Sequence, residues 1–219
     1  MKIHYFFFEI LLFFSVFFGF ILPSILNNHP DGLTCWNFPF TALFSLLCSI
    51  PLCFIESFLG ARKINFNKIC KRNLGLSALA LILLFLISTI LQFAAYFADS
   101  GNISQKPVFP QNVKDVFFCI ITFFFSASFE ELIFRYYIPE AGFHILKSFL
   151  PEKNGSLTAE CSAAVLFALC HRYLGFFAVF NALFAHFVLR FCFKKTDSIL
   201  FSVSVHFIYN IITLFILFH

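Results

Sequence analysis

The chain alternates between long apolar stretches and short polar ones, and the apolar stretches have membrane length. Seven of them are readable: Tyr5 to Leu26, Phe38 to Leu59, Leu74 to Ala98, Val113 to Tyr137, Thr158 to His171, Tyr173 to Phe193 and Ser198 to Phe218. A helix needs about 20 predominantly apolar residues to cross a bilayer. Six meet that length; Thr158–His171 is short. Pro139 is expected to help stop the fourth helix. The breaks carry turn and charge signals: Pro30-Asp31-Gly32, Pro107 and Pro110, a polar run from Glu140 to Leu157, and Lys194-Lys195. The pattern predicts an all-α polytopic membrane protein of about seven transmembrane helices, built as a single membrane domain over 1–219.

Composition excludes the soluble classes. The chain is 60% hydrophobic and only 12% charged, whereas a soluble domain carries about 25% charged residues. Too few polar groups exist to cover a globular surface. The 39 Phe residues look like base-composition bias and receive no functional weight. Eight cysteines show no C-x-x-C spacing, so no zinc knuckle or redox pair is indicated. Cys170 and His171 are adjacent, hence about 100° apart on a helix, which argues against a Cys–His dyad. The first stretch has a thin charged region and no A-x-A site, so it reads as a retained helix rather than a cleaved signal.

Charge placement sets an orientation. Arg62, Lys63, Lys68, Lys71 and Arg72 crowd one short loop. The positive-inside rule puts that loop in the cytoplasm; a specific anionic-lipid or nucleic-acid site is the less economical reading. Alternation then makes the N-terminus, the 140–157 loop and Lys194-Lys195 cytoplasmic. The expected location is integral to a membrane of bacterial cytoplasmic type. His206 would lie about 12 Å below the cytoplasmic entrance, eight residues into its helix. His171 would lie about 20 Å from Thr158, so either that segment starts above the membrane or its helix is tilted.

Polar groups inside such helices are costly and usually line a cavity that does chemistry. Three clusters stand out: Glu130-Glu131-Leu-Ile-Phe-Arg135, Phe167-Ala-Leu-Cys-His171 and His206-Phe-Ile-Tyr-Asn210. Residues at i and i+4 share a helix face. Glu131 and Arg135 can therefore pair and neutralise one another. Glu130 points elsewhere and stays available as a base, unless both carboxylates are merely solvated at a helix end. His206 and Asn210 share a face, and both can donate hydrogen bonds. Phe167 and His171 share one too. His186 has no nameable partner and reads as a packing residue. Glu9, Glu56 and Arg190 read as interfacial or snorkelling.

Taken in order, EE-x-x-x-R, F-x-x-x-H and H-x-x-x-N resemble the CPBP family of intramembrane glutamic endopeptidases, which includes CAAX prenyl proteases and bacteriocin-processing or immunity (Abi-type) proteins. The resemblance covers about Val113 to the C-terminus; the three N-terminal helices in 1–112 match only in being hydrophobic. One departure is that Phe180-Asn-Ala-Leu-Phe-Ala-His186 has alanines where many bacterial members have glycines. The resemblance implies a metal-independent site with no cofactor. Glu130 and His171 would activate a water, His206 and Asn210 would hold the oxyanion, and Glu131, Arg135 and Phe167 would support the site. It also implies a peptide or lipid-modified protein substrate and no nucleic-acid partner, with leader-peptide processing placed first. The alternatives are a zinc hydrolase using Glu130, His171 and His206 as ligands, and a non-catalytic immunity or scaffold protein using the same cavity. A proton-carrying transporter is disfavoured by the lack of an internal repeat.

Overall fold

The computed structural model describes residues 3–26, 38–58, 70–98, 110 and 112–217. The polar loop at 27–37, most of the polar segment at 99–112, and Arg62, Lys63 and Lys68 of the basic loop lie outside them. Among the described residues the chain is all helical and forms seven rods. The first comprises α1 (Ile3–Val16), a π turn (Phe17–Ile21) and α2 (Leu22–Leu26). Next come α3 (Phe40–Phe58) and α4 (Lys71–Phe97). The fourth rod comprises α5 (Val113–Glu130), a π segment (Glu131–Tyr137) and α6 (Ile138–Leu146). The last three are α7 (Glu152–Leu169), α8 (Phe176–Thr196) and α9 (Ile199–Leu217).

Six rods are long and apolar enough to cross a membrane; α7 is not among them. The expected short segment is thus a helix of 18 residues whose first two turns are largely polar and exposed. The bundle wears its phenylalanines outside. Phe7, Phe14, Phe18, Phe44, Phe93, Phe117 and Phe187 are all exposed, while Glu9, Glu56, Asp115, Glu131, Arg135, His144, His186, Arg190 and His206 are buried. Apolar outside and polar within is the arrangement a lipid solvent selects.

The fourth rod departs from expectation in an instructive way. Pro139 does not stop it. The helix runs 34 residues, from Val113 to Leu146, about 50 Å at the α-helical rise. Proline is tolerated at the first turn of a helix because its missing N–H has no partner there. Pro139 holds that position in α6, directly after the π segment. The π segment also frees backbone carbonyls for distant donors. Cys53 Sγ donates to the Leu132 carbonyl at 3.7 Å, and Arg190 Nη1 donates to the Arg135 carbonyl. Glu130 therefore sits near the middle of a long rod rather than near its end. The start of α5 is set by Asn112, whose side chain accepts from the Asp115 amide at 2.9 Å, an N-cap.

α8 packs against α4, α7 and α9, α3 against α5, and α6 against α7 and α1. The α8–α9 link is tight. Asp197 adopts a left-handed backbone (φ 54°), and its amide bonds to the Phe193 carbonyl. The small residues of α8 face inward, with Ala182 and Ala185 buried, so the alanines take the close-packing role that glycine could fill. Arg72 Nη2 donates to the Lys195 carbonyl at 3.4 Å. The N-terminus of α4 and the C-terminus of α8 therefore lie on the same basic face.

Arg190 corrects one reading. It does not snorkel: it is buried, with Nη2 2.6 Å from Glu160 and 3.3 Å from Glu140, and Lys194 Nζ also reaches Glu160 at 2.6 Å. This network ties α8 to α6 and α7. It also answers the question of depth for His171. Glu160 is level with Arg190, so Glu152 stands about 12 Å further toward the charged end. The start of α7 lies at or beyond the end of α8, and that carries Phe167 and His171 inward to the level of Arg135.

Candidate active site

Four elements converge on one buried aromatic ring. Phe167, on α7, is 2% exposed. The Arg135 guanidinium stacks on its face, with the central carbon 3.9 Å from the ring centre. His171, one turn later, packs at 4.6 Å between ring centres, His186 of α8 at 6.0 Å and His206 of α9 at 6.5 Å. Phe134 completes the set at 5.1 Å. A guanidinium over an aromatic face is an attractive contact that strengthens as water is removed. The F-x-x-x-H spacing, weak in a Phe-rich chain, thus marks the hub of the cluster.

The two adjacent glutamates have opposite surroundings. Glu131 is fully buried and lies 3.3 Å from Arg135 Nε, the i,i+4 pair expected from spacing. The same Oε1 contacts His206 Nδ1 at 2.8 Å. A buried carboxylate with two such partners is fixed. Glu130 keeps 24% of its side chain exposed, and its Oε2 is 3.7 Å from His206 Nε2, too far for a hydrogen bond. Glu130 is uncommitted and reachable. His206 lies between the pair, with one ring nitrogen toward each carboxylate.

His171 is in the turn after α7. Its Nδ1 donates to the Phe167 carbonyl at 2.9 Å, since a carbonyl can only accept. The Nε2 of the neutral ring therefore carries the lone pair. Asn210 is half-buried one turn beyond His206 on α9.

The structure thus joins Glu131, Arg135, Phe167, His171 and His206 through direct contacts and sets Glu130 beside His206. The donor atoms of Glu130, His171 and His206 do not converge as metal ligands do. Among the described residues, only Glu9, Glu56 and His144 bring three such atoms within 4.8 Å of one another.

Two neighbours were not singled out by motif. His186 is fully buried with both ring nitrogens lacking a partner; its signal was a polar residue on the inward face of α8. Ser202, one turn before His206, lies beside Glu131 and donates to the Ile199 carbonyl at 3.0 Å. The S-x-x-x-H spacing could have revealed it. A cavity of about 600 Å³ opens at the charged end between Glu140, Glu160, Arg190 and Lys194 and includes none of the seven motif residues. Volume alone therefore does not locate the chemistry.

The fold and cluster define a polytopic helical membrane protein with an intramembrane carboxylate–histidine site. Residues 112–212, just under half of the chain, match the family model described as type II CAAX prenyl endopeptidase Rce1-like, and this part of the chain is similar to that family. The match spans α5 to α9 and so contains all seven motif residues. It supports a CAAX protease-like enzyme. No curated protein and no solved structure matches the chain.

Proposed function

We propose that this protein hydrolyses a peptide bond within the membrane by means of a water activated by Glu130 and His171. The observation that carries this reading is the contrast between the two glutamates. Glu131 is immobilised by Arg135 and His206, whereas Glu130 is 24% exposed and has no short partner. One carboxylate shapes the site and the other is left for chemistry. A general base must be accessible to its water and near neutral proton affinity. Glu130 and the free Nε2 of His171 offer two acceptors for the water's protons.

The attacked carbonyl would develop its charge toward α9. His206 and Asn210 share a face of that helix and supply the donors. With its Nδ1–H directed at Glu131, His206 donates from Nε2 when the ring carries both protons. Removing one oxyanion donor costs about 2.7–4 kcal/mol. His206→Ala and Asn210→Ala are each expected to lower kcat by about 10²–10³-fold with KM little changed. Equal kcat in folded Asn210→Ala protein would contradict its role.

The Rce1-like match favours a C-terminal CAAX-type peptide over leader-peptide processing as the substrate. The basic ends of α4 and α8 share one face, which supports an orientation with that face, and the N-terminus, in the cytoplasm. Cleavage of a prenylated C-terminal peptide by reconstituted protein tests the substrate class. Its release without cleavage of a non-prenylated control is expected.

A further inference from the structure

Glu9 and Glu56 are not interfacial. They are 1% and 2% exposed, and both converge on His144, itself 5% exposed. His144 Nδ1 lies 2.9 Å from Glu9 Oε1 and 2.9 Å from Glu56 Oε1. The three residues come from α1, α3 and α6, and none belongs to the seven-residue cluster around Phe167. His144 is 14 residues beyond Glu130 on the same rod, about 20 Å away at the helical rise.

Hydrogen bonding alone does not satisfy this triad. One imidazole N–H serves one acceptor, and its bond goes to Glu9. Glu56 Oε1 is left buried without a hydrogen-bond partner, although aimed at the same nitrogen. The Tyr137 hydroxyl is also buried without a partner and is close enough to feel the charge of Glu56 and Glu9. Two buried carboxylates that share one imidazole nitrogen favour a further partner of positive charge.

We infer that Glu9, Glu56 and His144 form a binding site for a divalent transition-metal ion of the zinc type. Two carboxylates balance the ion's charge, and the three donor atoms already lie within 4.8 Å of one another. Zinc is bound by histidine and carboxylate at about 2.0–2.2 Å in tetrahedral geometry. Such bonds place neighbouring ligand atoms about 3.3 Å apart, a small outward adjustment from 2.9 Å. The imidazole disfavours magnesium and calcium, which take oxygen ligands. The ion would fasten α1 and α3 to the outer end of α6, holding the N-terminal helices to the rod that carries Glu130. It would be remote from the reacting groups.

The test is metal content and binding by the full chain purified in detergent. Protein stripped with chelator and then given zinc alone is expected to retain one equivalent after desalting and to melt at a higher temperature, with no such shift from magnesium. Glu56→Gln and His144→Ala are expected to lose the equivalent, whereas Glu130→Gln keeps it. Zinc K-edge absorption on wild type covers the case in which those variants misfold. It is expected to show oxygen ligands with a single imidazole. Absence of retained zinc in wild type, retention by folded Glu56→Gln and His144→Ala, loss in Glu130→Gln, or a sulfur-ligand shell would each overturn the site.

Discussion

Glu130→Gln is expected to lower peptide cleavage by about 10²–10⁴-fold, the range that positioned acid–base groups contribute, in protein that folds and inserts normally. The amide keeps the shape of the side chain but cannot take a proton from water. Little stability should change, because Glu130 is partly exposed and its nearest charged neighbour, His206 Nε2, is 3.7 Å away. The measurement is cleavage by wild type and variant reconstituted at equal amounts, with size-exclusion profile and melting temperature as the control for folding. Equal rates would remove Glu130 from the mechanism. A collapsed melting temperature would make it structural instead, exchanging its role with that of Glu131.

Arg135→Ala is expected to do the opposite, losing folded protein more than chemistry. The guanidinium is fully buried against Glu131 and lies over the Phe167 ring. Removing one partner of a buried ion pair leaves an uncompensated charge and costs about 3–5 kcal/mol. The aromatic contact adds to that loss. Yield and thermal stability in detergent are expected to fall sharply. Arg135→Ala combined with Glu131→Ala should recover part of the stability, since no buried carboxylate is then orphaned, while leaving the protein inactive. Normal yield and stability in the single variant would contradict the structural assignment.

These two outcomes follow from features of unequal legibility. The spans could be read because apolar length is a local property; the first, Tyr5–Leu26, lies within the helical rod that runs from Ile3 to Leu26. The face-sharing of Glu131 and Arg135 was also readable, because i,i+4 geometry lies within one turn. Partners from different helices were not. Arg190, Glu9 and Glu56 look alike in sequence to charges at a membrane edge, and only packing across 30 to 135 positions supplies Glu160 for the first and His144 for the other two. Pro139 misled for a local reason: a proline normally ends a helix, but a π segment just before it gives it a new first turn. The link between His206 and Glu131 needed α9 to pack on the π segment, which no spacing rule could anticipate.

The division of labour between the glutamates is the centre of this account, and one measurement addresses it most directly. Reconstituted protein is given a prenylated C-terminal peptide, and the products are followed by mass spectrometry for wild type, Glu130→Gln and Glu130→Asp. Wild type should release a discrete C-terminal fragment, Glu130→Gln essentially none, and Glu130→Asp a small but measurable amount of the same fragment. Cleavage by Glu130→Gln at the wild-type rate and position would contradict the proposal that this carboxylate activates the attacking water.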